Sequence, residues 1–424
     1  MKEEFLHYVW KHQLFAVKEL VLTNAKKIRI RSAGMHNHQS GPDFFNAKIE
    51  MVNLIWAGNV EIHVKASDWY LHQHEIDESY DSVILHVVWE HDVDVFDKNN
   101  KPLPTLKMAD FISKELLVNY QRLFSQKLQW IPCEKLITTV DYFVIENWKT
   151  RLYIERLEKK STLIDALLLT SNNDYEAVLF QLLMKNFGLK TNGDAFLNLA
   201  HSIDFSIIRK VQNDALKLNA LLFGQAGFLL EDSEENYERE LKTEYLYLQH
   251  TFGLLPVANG QFQFFKMRPS NFPTIRIAQL AAIYHQHQSL FSLLMNFTTL
   301  EEFYKLFNVR VHPFWETHYV FKKVSPKRLK KVTKAFVDLL IMNTIIPLKF
   351  RYLKSVNRAI DVDFFDFIKK VKAEKNGVID KFSELKVVAE NAFDSQALLE
   401  LKNNYCAQKH CLQCAIGNSL LKER

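Results

Sequence analysis

A change of hydrophobic period near residue 110 constrains this chain more than any other feature. Before it, apolar and polar residues alternate in KKIRIRS, AKIEM and, longest, VEIHVKA at 60–66. The apolar run SVILHVVW follows, and LPTLKM adds a further short stretch. Alternation with period two marks strands with one buried face, and a continuous apolar run suits a strand covered on both. Phe5, Val9, Trp10, Phe15 and Leu20 fall near one helical face, which predicts a helix over 3–21. Residues 68–80 read as a short helix or loop. After 110 the spacing is helical almost throughout, including 282–307 and 327–346, with prolines at 313, 326 and 347 as breaks. The expectation is an α+β chain: an α/β domain over 1–110, an all-α region over 111–400, and a segment over 401–424 whose cysteine cluster packs back near Cys133.

Composition narrows the class. The chain has 424 residues, 48% hydrophobic and 24% charged, enough to bury a large core, so disorder is not expected. A net charge of +5 permits nucleic-acid binding without requiring it. No apolar stretch approaches a membrane span. The start, MKEEFLHYVWKHQLF, lacks a cationic segment leading into an apolar run, so neither a membrane nor a signal peptide is expected, and the expected location is cytoplasmic.

The stretch GPDFFNAKIEMVNLIWAGNVEIHVKASDW, 41–69, concentrates the chemistry. On a strand, Glu61, His63 and Lys65 share one face, about 6.8 Å apart in succession. Asp43 opens an earlier strand after Gly41-Pro42, and pairing of the two strands would bring it to Glu61 and His63. Two facing carboxylates repel unless a cation lies between them, and Mg²⁺ or Mn²⁺ takes such oxygen ligands. A nearby Lys then orients water or steadies an anion. Five histidines, His63, His72, His74, His86 and His91, fall within one short span. His72-x-His74 would put both rings on one face if extended, a pair suited to Zn²⁺ or Mn²⁺. His86, inside an apolar run, reads first as a core histidine.

Pro42-Asp43, a spacer, then an acid and Lys65 on a later strand resemble the PD-(D/E)XK nuclease core. A helix ahead and SVILHVVW behind fit that core's order, over about residues 1–105. The resemblance implies a mixed sheet, metal ligation by Asp43 and Glu61, and water activation by Lys65. This sequence departs from the pattern at His63, which stands where that family has an acid; Glu61 lies four residues before the Lys. Either His63 replaces the acid, or Glu61 serves from one step along, or catalysis is lost. Across nearly the full chain, GPDFFNAKI, WAGNVEIHVKASDWYLH, YDSVILHVVWEHD, WIPCE, RPSNFPTIRIAQLA and YCAQKHCLQCAIGNSLL resemble a bacterial domain-of-unknown-function family, DUF2851. That resemblance implies no activity.

Cys406-x4-Cys411-x2-Cys414, with Cys133 in WIPCE, uses every cysteine in the chain. Three close thiols in a reducing compartment point to metal, with Cys133 or His410 as the fourth ligand. The layout resembles the iron–sulfur staple of some helicase- and CRISPR-associated nucleases, and Zn²⁺ suits the ligands equally. FKKVSPKRLKKVTK, carrying Lys327, Arg328, Lys330 and Lys331, can follow a phosphate backbone or simply be a solvated helix face. Arg268 and Arg276 flank SNFPT ahead of a helix and can hold phosphate there, or else fix helix packing.

The leading expectation is a metal-dependent nuclease acting on DNA or RNA. The alternatives are a non-catalytic nucleic-acid-binding or scaffold protein with a degenerate core, and a Zn²⁺ hydrolase built on His63, His72 and His74.

Overall fold

One sheet organises the first part of the chain. Its strands are β1 (Leu20–Val21), β2 (Lys27–Ser32), β3 (Met35–His36), β4 (Phe44–Met51), β5 (Leu54–Lys65), β6 (Val83–Glu90) and β7 (Thr105–Lys107). The computed structural model describes residues 1–424 other than 125–128, 232, 258–259 and 423–424. The strand order is β1-β2-β4-β5-β6-β7, with β3 beside β4. β2, β4 and β5 pair antiparallel, whereas β5–β6 and β6–β7 are parallel, so the sheet is mixed. Val52 and Asn53 both take positive φ between β4 and β5, the backbone a two-residue hairpin needs.

The alternation in VEIHVKA forms the C-terminal half of β5, but both of its faces are covered there. Val60 and Ile62 are fully buried on one face, and Glu61 and His63 are 5% and 1% exposed on the other.

Helix α1 (Glu3–His12) lies against β5 and buries Phe5, Leu6, Tyr8, Val9 and Trp10. It stops at His12 rather than running to 21. Gln13 turns left-handed and its N–H closes onto the helix's last carbonyls, and Leu20 then pairs with Ile28 as a strand. Helix α2 (Asp68–Leu71) is a single turn between β5 and β6. Helix α3 (Lys114–Phe124) sets Tyr120 against Phe5 of α1, ring centres 4.1 Å apart.

The chain divides into two compact units, 1–148 with 402–424, and 149–401. The first unit runs past the expected division at 110, whereas the division expected after 400 falls after 401. The change of period precedes α3, yet α3 turns Leu116, Tyr120 and Leu123 inward within the first unit, and the C-terminal helix Ala415–Lys422 packs on α3.

Helices dominate the second unit. The helices Ala215–Gln225 and Asn236–Phe252 meet at Gly224, where an added Cβ would lie 2.1 Å from the Tyr245 ring. The expected helix over 327–346 begins only at Lys334, capped by Thr333. Residues 327–333 run outside it, held by Arg328 N–H to Glu316 O and Gln279 to Lys330 O. Pro347 does not break the chain's path. A π turn, Ile341–Ile345, precedes it, and Pro347 sits in the first turn of helix Ile346–Ser355, where its missing N–H is tolerated.

Candidate metal centre

Strand β5 supplies Glu61 and His63, and pairing with the chain ahead of β4 brings in Asp43. The Asp43 N–H donates to Glu61 Oε2 at 3.1 Å, and the Ile62 N–H donates to Asp43 Oδ2 at 2.9 Å. His7 of α1 sets its Nε2 3.1 Å from the same Asp43 Oδ2. Burial pulls His7 down, but the Asp43 hydrogen bond and charge, with those of Glu3 and Glu61, outweigh it and leave His7 raised. Asp43 and Glu61 are thus neighbours with protein donors between them, unlike the bare carboxylate pair expected for Mg²⁺.

The loop after β5 supplies His72 and His74. Ser67 is tied to Asp92 by its N–H and hydroxyl, 3.0 and 2.7 Å. Trp69 is buried with Ala66, Val83, Val88 and Val95 in a small core beneath α2. His72 caps α2, and Gln73 takes φ +60. That left-handed residue turns the chain so that both imidazoles face β5. The His-x-His pair therefore converges through a tight turn, not through the extended geometry expected from spacing. Tyr80 stacks on His74 at 3.7 Å and fixes its plane.

Three imidazole nitrogens converge, and a carboxylate oxygen lies beside two of them. One nitrogen from each of His63, His72 and His74 lies within 4.8 Å of the other two. His63 Nε2 stands 3.1 Å from His72 Nδ1. Glu61 Oε1 is 3.5 Å from His63 Nε2 and 3.3 Å from His74 Nε2. Ligands about 2.0–2.1 Å from a tetrahedral ion stand about 3.3 Å from one another, so these separations are those of a metal's coordination edges. Burial, then the charges of His74, His72 and His7, push His63 down to about 3, which disfavours a proton as the neutralising cation. Burial raises Glu61 to about 6 against the opposing hydrogen bond from His74.

His86 backs the cluster. Fully buried on β6, it sets Nε2 2.9 Å from His63 Nδ1. With His63 Nδ1–H donating to it, His63 Nε2 keeps a free lone pair toward His72. His74 Nε2 has Glu61 Oε1 as its near neighbour, while His74 Nδ1 and His86 Nδ1 are buried without hydrogen-bond partners.

The other expected residues fall elsewhere. Lys65 is exposed at the end of β5, where its charge is felt by Asp92. His91 pairs with Asp94 at 3.3 Å. Arg276 is a packing residue, not a phosphate ligand: it is 6% exposed, stacks 3.5 Å over Phe336 and donates to Gln279 and Asn271. Arg268 is exposed. Within the basic run Lys330 is buried over Tyr319, and Lys327 pairs with Glu316 at 3.4 Å. Arg328 and Lys331 are exposed. Sequence reasoning missed His7; a histidine amid Phe5, Leu6, Tyr8 and Val9 on an apolar helix was its one available signal.

A family model described as Protein of unknown function (DUF2851) matches residues 3–377. No curated protein and no solved structure matches the chain.

Proposed function

The chain belongs to the DUF2851 family, whose description carries no activity, and from its own residues we propose a metal-dependent hydrolase of phosphodiester bonds in DNA or RNA. One observation carries the metal dependence: three imidazole nitrogens within 4.8 Å of one another, with Glu61 Oε1 at 3.3–3.5 Å from two of them. Three nitrogens and one oxygen suit Zn²⁺ or Mn²⁺ better than Mg²⁺. A bound ion of that kind acidifies a water and polarises a phosphoryl oxygen.

The chain's own groups do the rest. His86 holds the His63 tautomer. The Asp43 N–H occupies Glu61 Oε2 and leaves Oε1 turned toward the imidazoles as the oxygen ligand, so a substrate water would join the ion as a fifth ligand. Lys65 at the end of β5 is available to a substrate phosphate. A nucleic-acid substrate is supported by the order of elements, namely a helix, antiparallel strands, a short helix and a parallel strand, which the nuclease-core resemblance implies. Lys65's exposure, together with His63 in the place of an acid, favours the second reading, a non-catalytic nucleic-acid-binding or scaffold protein.

The test is cleavage of single- and double-stranded DNA and RNA after chelation and reloading with Zn²⁺, Mn²⁺ or Mg²⁺. Cleavage should return with Zn²⁺ or Mn²⁺ and fall by roughly 100-fold or more in His72→Ala and Glu61→Gln. A loaded protein that cleaves none of the four substrates overturns the hydrolase. Salt-sensitive binding that survives Glu61→Gln would then identify the scaffold.

A further inference from the structure

Within the first unit, four free cysteines from two distant parts of the chain converge. Cys133 sits in a tight turn, its carbonyl accepting from the Leu136 and Ile137 N–H groups at 2.9 and 2.8 Å. Cys411 and Cys414 bracket a second turn, closed by Cys414 N–H to Cys411 O at 3.2 Å. Gly417 presses onto that turn, since a Cβ there would lie 2.1 Å from Cys411 O. Two further contacts tie the segments together. Lys402 donates to Trp130 O at 2.6 Å while lying over its ring, and Tyr405 meets Trp148 edge-on at 5.2 Å.

The four cysteines belong to one neighbourhood, because the segments that carry them are tied by Lys402–Trp130 and Tyr405–Trp148. Cys133, Cys411 and Cys414 are buried and Cys406 is half-buried. After burial itself, the charges of Cys414 and Cys411 raise the Cys133 thiol, and all three others raise Cys406. The Trp148 indole and the backbone N–H groups of Ile416 and Gly417 face the Cys414 sulfur, a polar surrounding that favours thiolate against the burial that raises it. Four thiols gathered in one place without a disulfide suit a cation that takes them as thiolates. His410 is exposed and its Nδ1 is bonded to Asn404 O, so Cys133 makes the better fourth ligand.

We propose that Cys133, Cys406, Cys411 and Cys414 are the four thiolate ligands of one thiophilic metal centre, a zinc ion or an iron–sulfur cluster, that fastens the C-terminal segment to the stretch around Cys133. Sulfur-only ligation selects these metals over Mg²⁺ or Mn²⁺. Among the described residues the sulfurs form no trio within 4.8 Å of one another, whereas one zinc draws its sulfurs to about 3.8 Å. The centre stands independently of the hydrolase reading. Its role is structural: helix Ala415–Lys422 begins next to Cys414 and packs on α3, which in turn backs α1.

The test uses full-length protein carrying His72→Ala, so that metal at the histidine cluster does not confuse the count. Anaerobic purification should give either about four iron with inorganic sulfide and visible absorbance, or about one zinc, per chain. Cys406→Ser, at the half-buried position, should lose most of that metal and speed proteolysis of the C-terminal segment at least several-fold. A folded protein with neither metal, or a metal content unchanged in both Cys406→Ser and Cys411→Ser, overturns the centre.

Discussion

His86 has no exposed surface, yet one of its nitrogens touches His63 and the other touches no hydrogen-bond partner. A ring placed so holds its neighbour's tautomer rather than binding an ion itself. His86→Phe keeps the ring and removes the contact, so metal affinity should fall about 10–100-fold, read by competition against a chromogenic chelator. Lys65→Ala, which removes an exposed charge, should leave that affinity unchanged. The residue types of the site were legible in the sequence, because Glu61 and His63 share a strand face and His72 and His74 are close in the chain. Asp43's approach to Glu61 was expected from strand pairing, but its contact with His7 was not legible, since His7 reaches it from a helix whose packing the sequence does not state.

A lysine of the helical unit belongs to the same scale. Lys160 is half-buried and donates to Asn343 Oδ1 at 3.2 Å. Burial, then the charges of Arg156 and Lys185, push it from the ordinary 10.5 down to about 8. Below pH 8 both folded and unfolded chains carry the proton, and folding bears the full cost of burying the charge. Between pH 8 and 10.5 the unfolded chain binds the proton and the folded one does not, so stability rises with pH. Urea unfolding should show wild type gaining about 2 kcal/mol over that window relative to Lys160→Met.

At the scale of elements, backbone conformation decides what spacing cannot. His72-x-His74 was readable as a metal pair, but the left-handed Gln73 that makes the rings converge was not, because nothing in Gln favours that conformation. Gln73→Gly should therefore keep metal binding and lose no stability. Gln73→Ile should cost about 1–2 kcal/mol and weaken binding, as thermal melts with and without Zn²⁺ would show. The expected helix over 3–21 failed for a related reason: its apolar period continued past a left-handed Gln13 that ended the helix. By contrast, Gly224 lies directly against the Tyr245 ring, a close helix contact that only a residue without a side chain allows. Gly224→Ala should destabilise by about 1–3 kcal/mol, because the ring and its helix must move to admit a methyl.

For the whole molecule, the change of period near 110 identified strands followed by helices, which is the order found. It did not locate the end of the first unit, which runs on to residue 148, and the return of the C-terminal segment was expected from the cysteines rather than from the period. Both candidate metal centres draw all their ligands from that first unit, 1–148 with 402–424. Ligands that bind only the folded state stabilise it by mass action, about 4 kcal/mol at a thousandfold excess over the dissociation constant. Chelation should therefore act on one unit and spare the other. Calorimetry of the loaded protein before and after treatment with a strong chelator should show a transition that moves down in temperature and one that stays. Lys160→Met should shift only the second of these, since Lys160 and Asn343 both lie within 149–401. A single transition in which chelation and Lys160→Met act alike would instead mean that the two units unfold as one cooperative body.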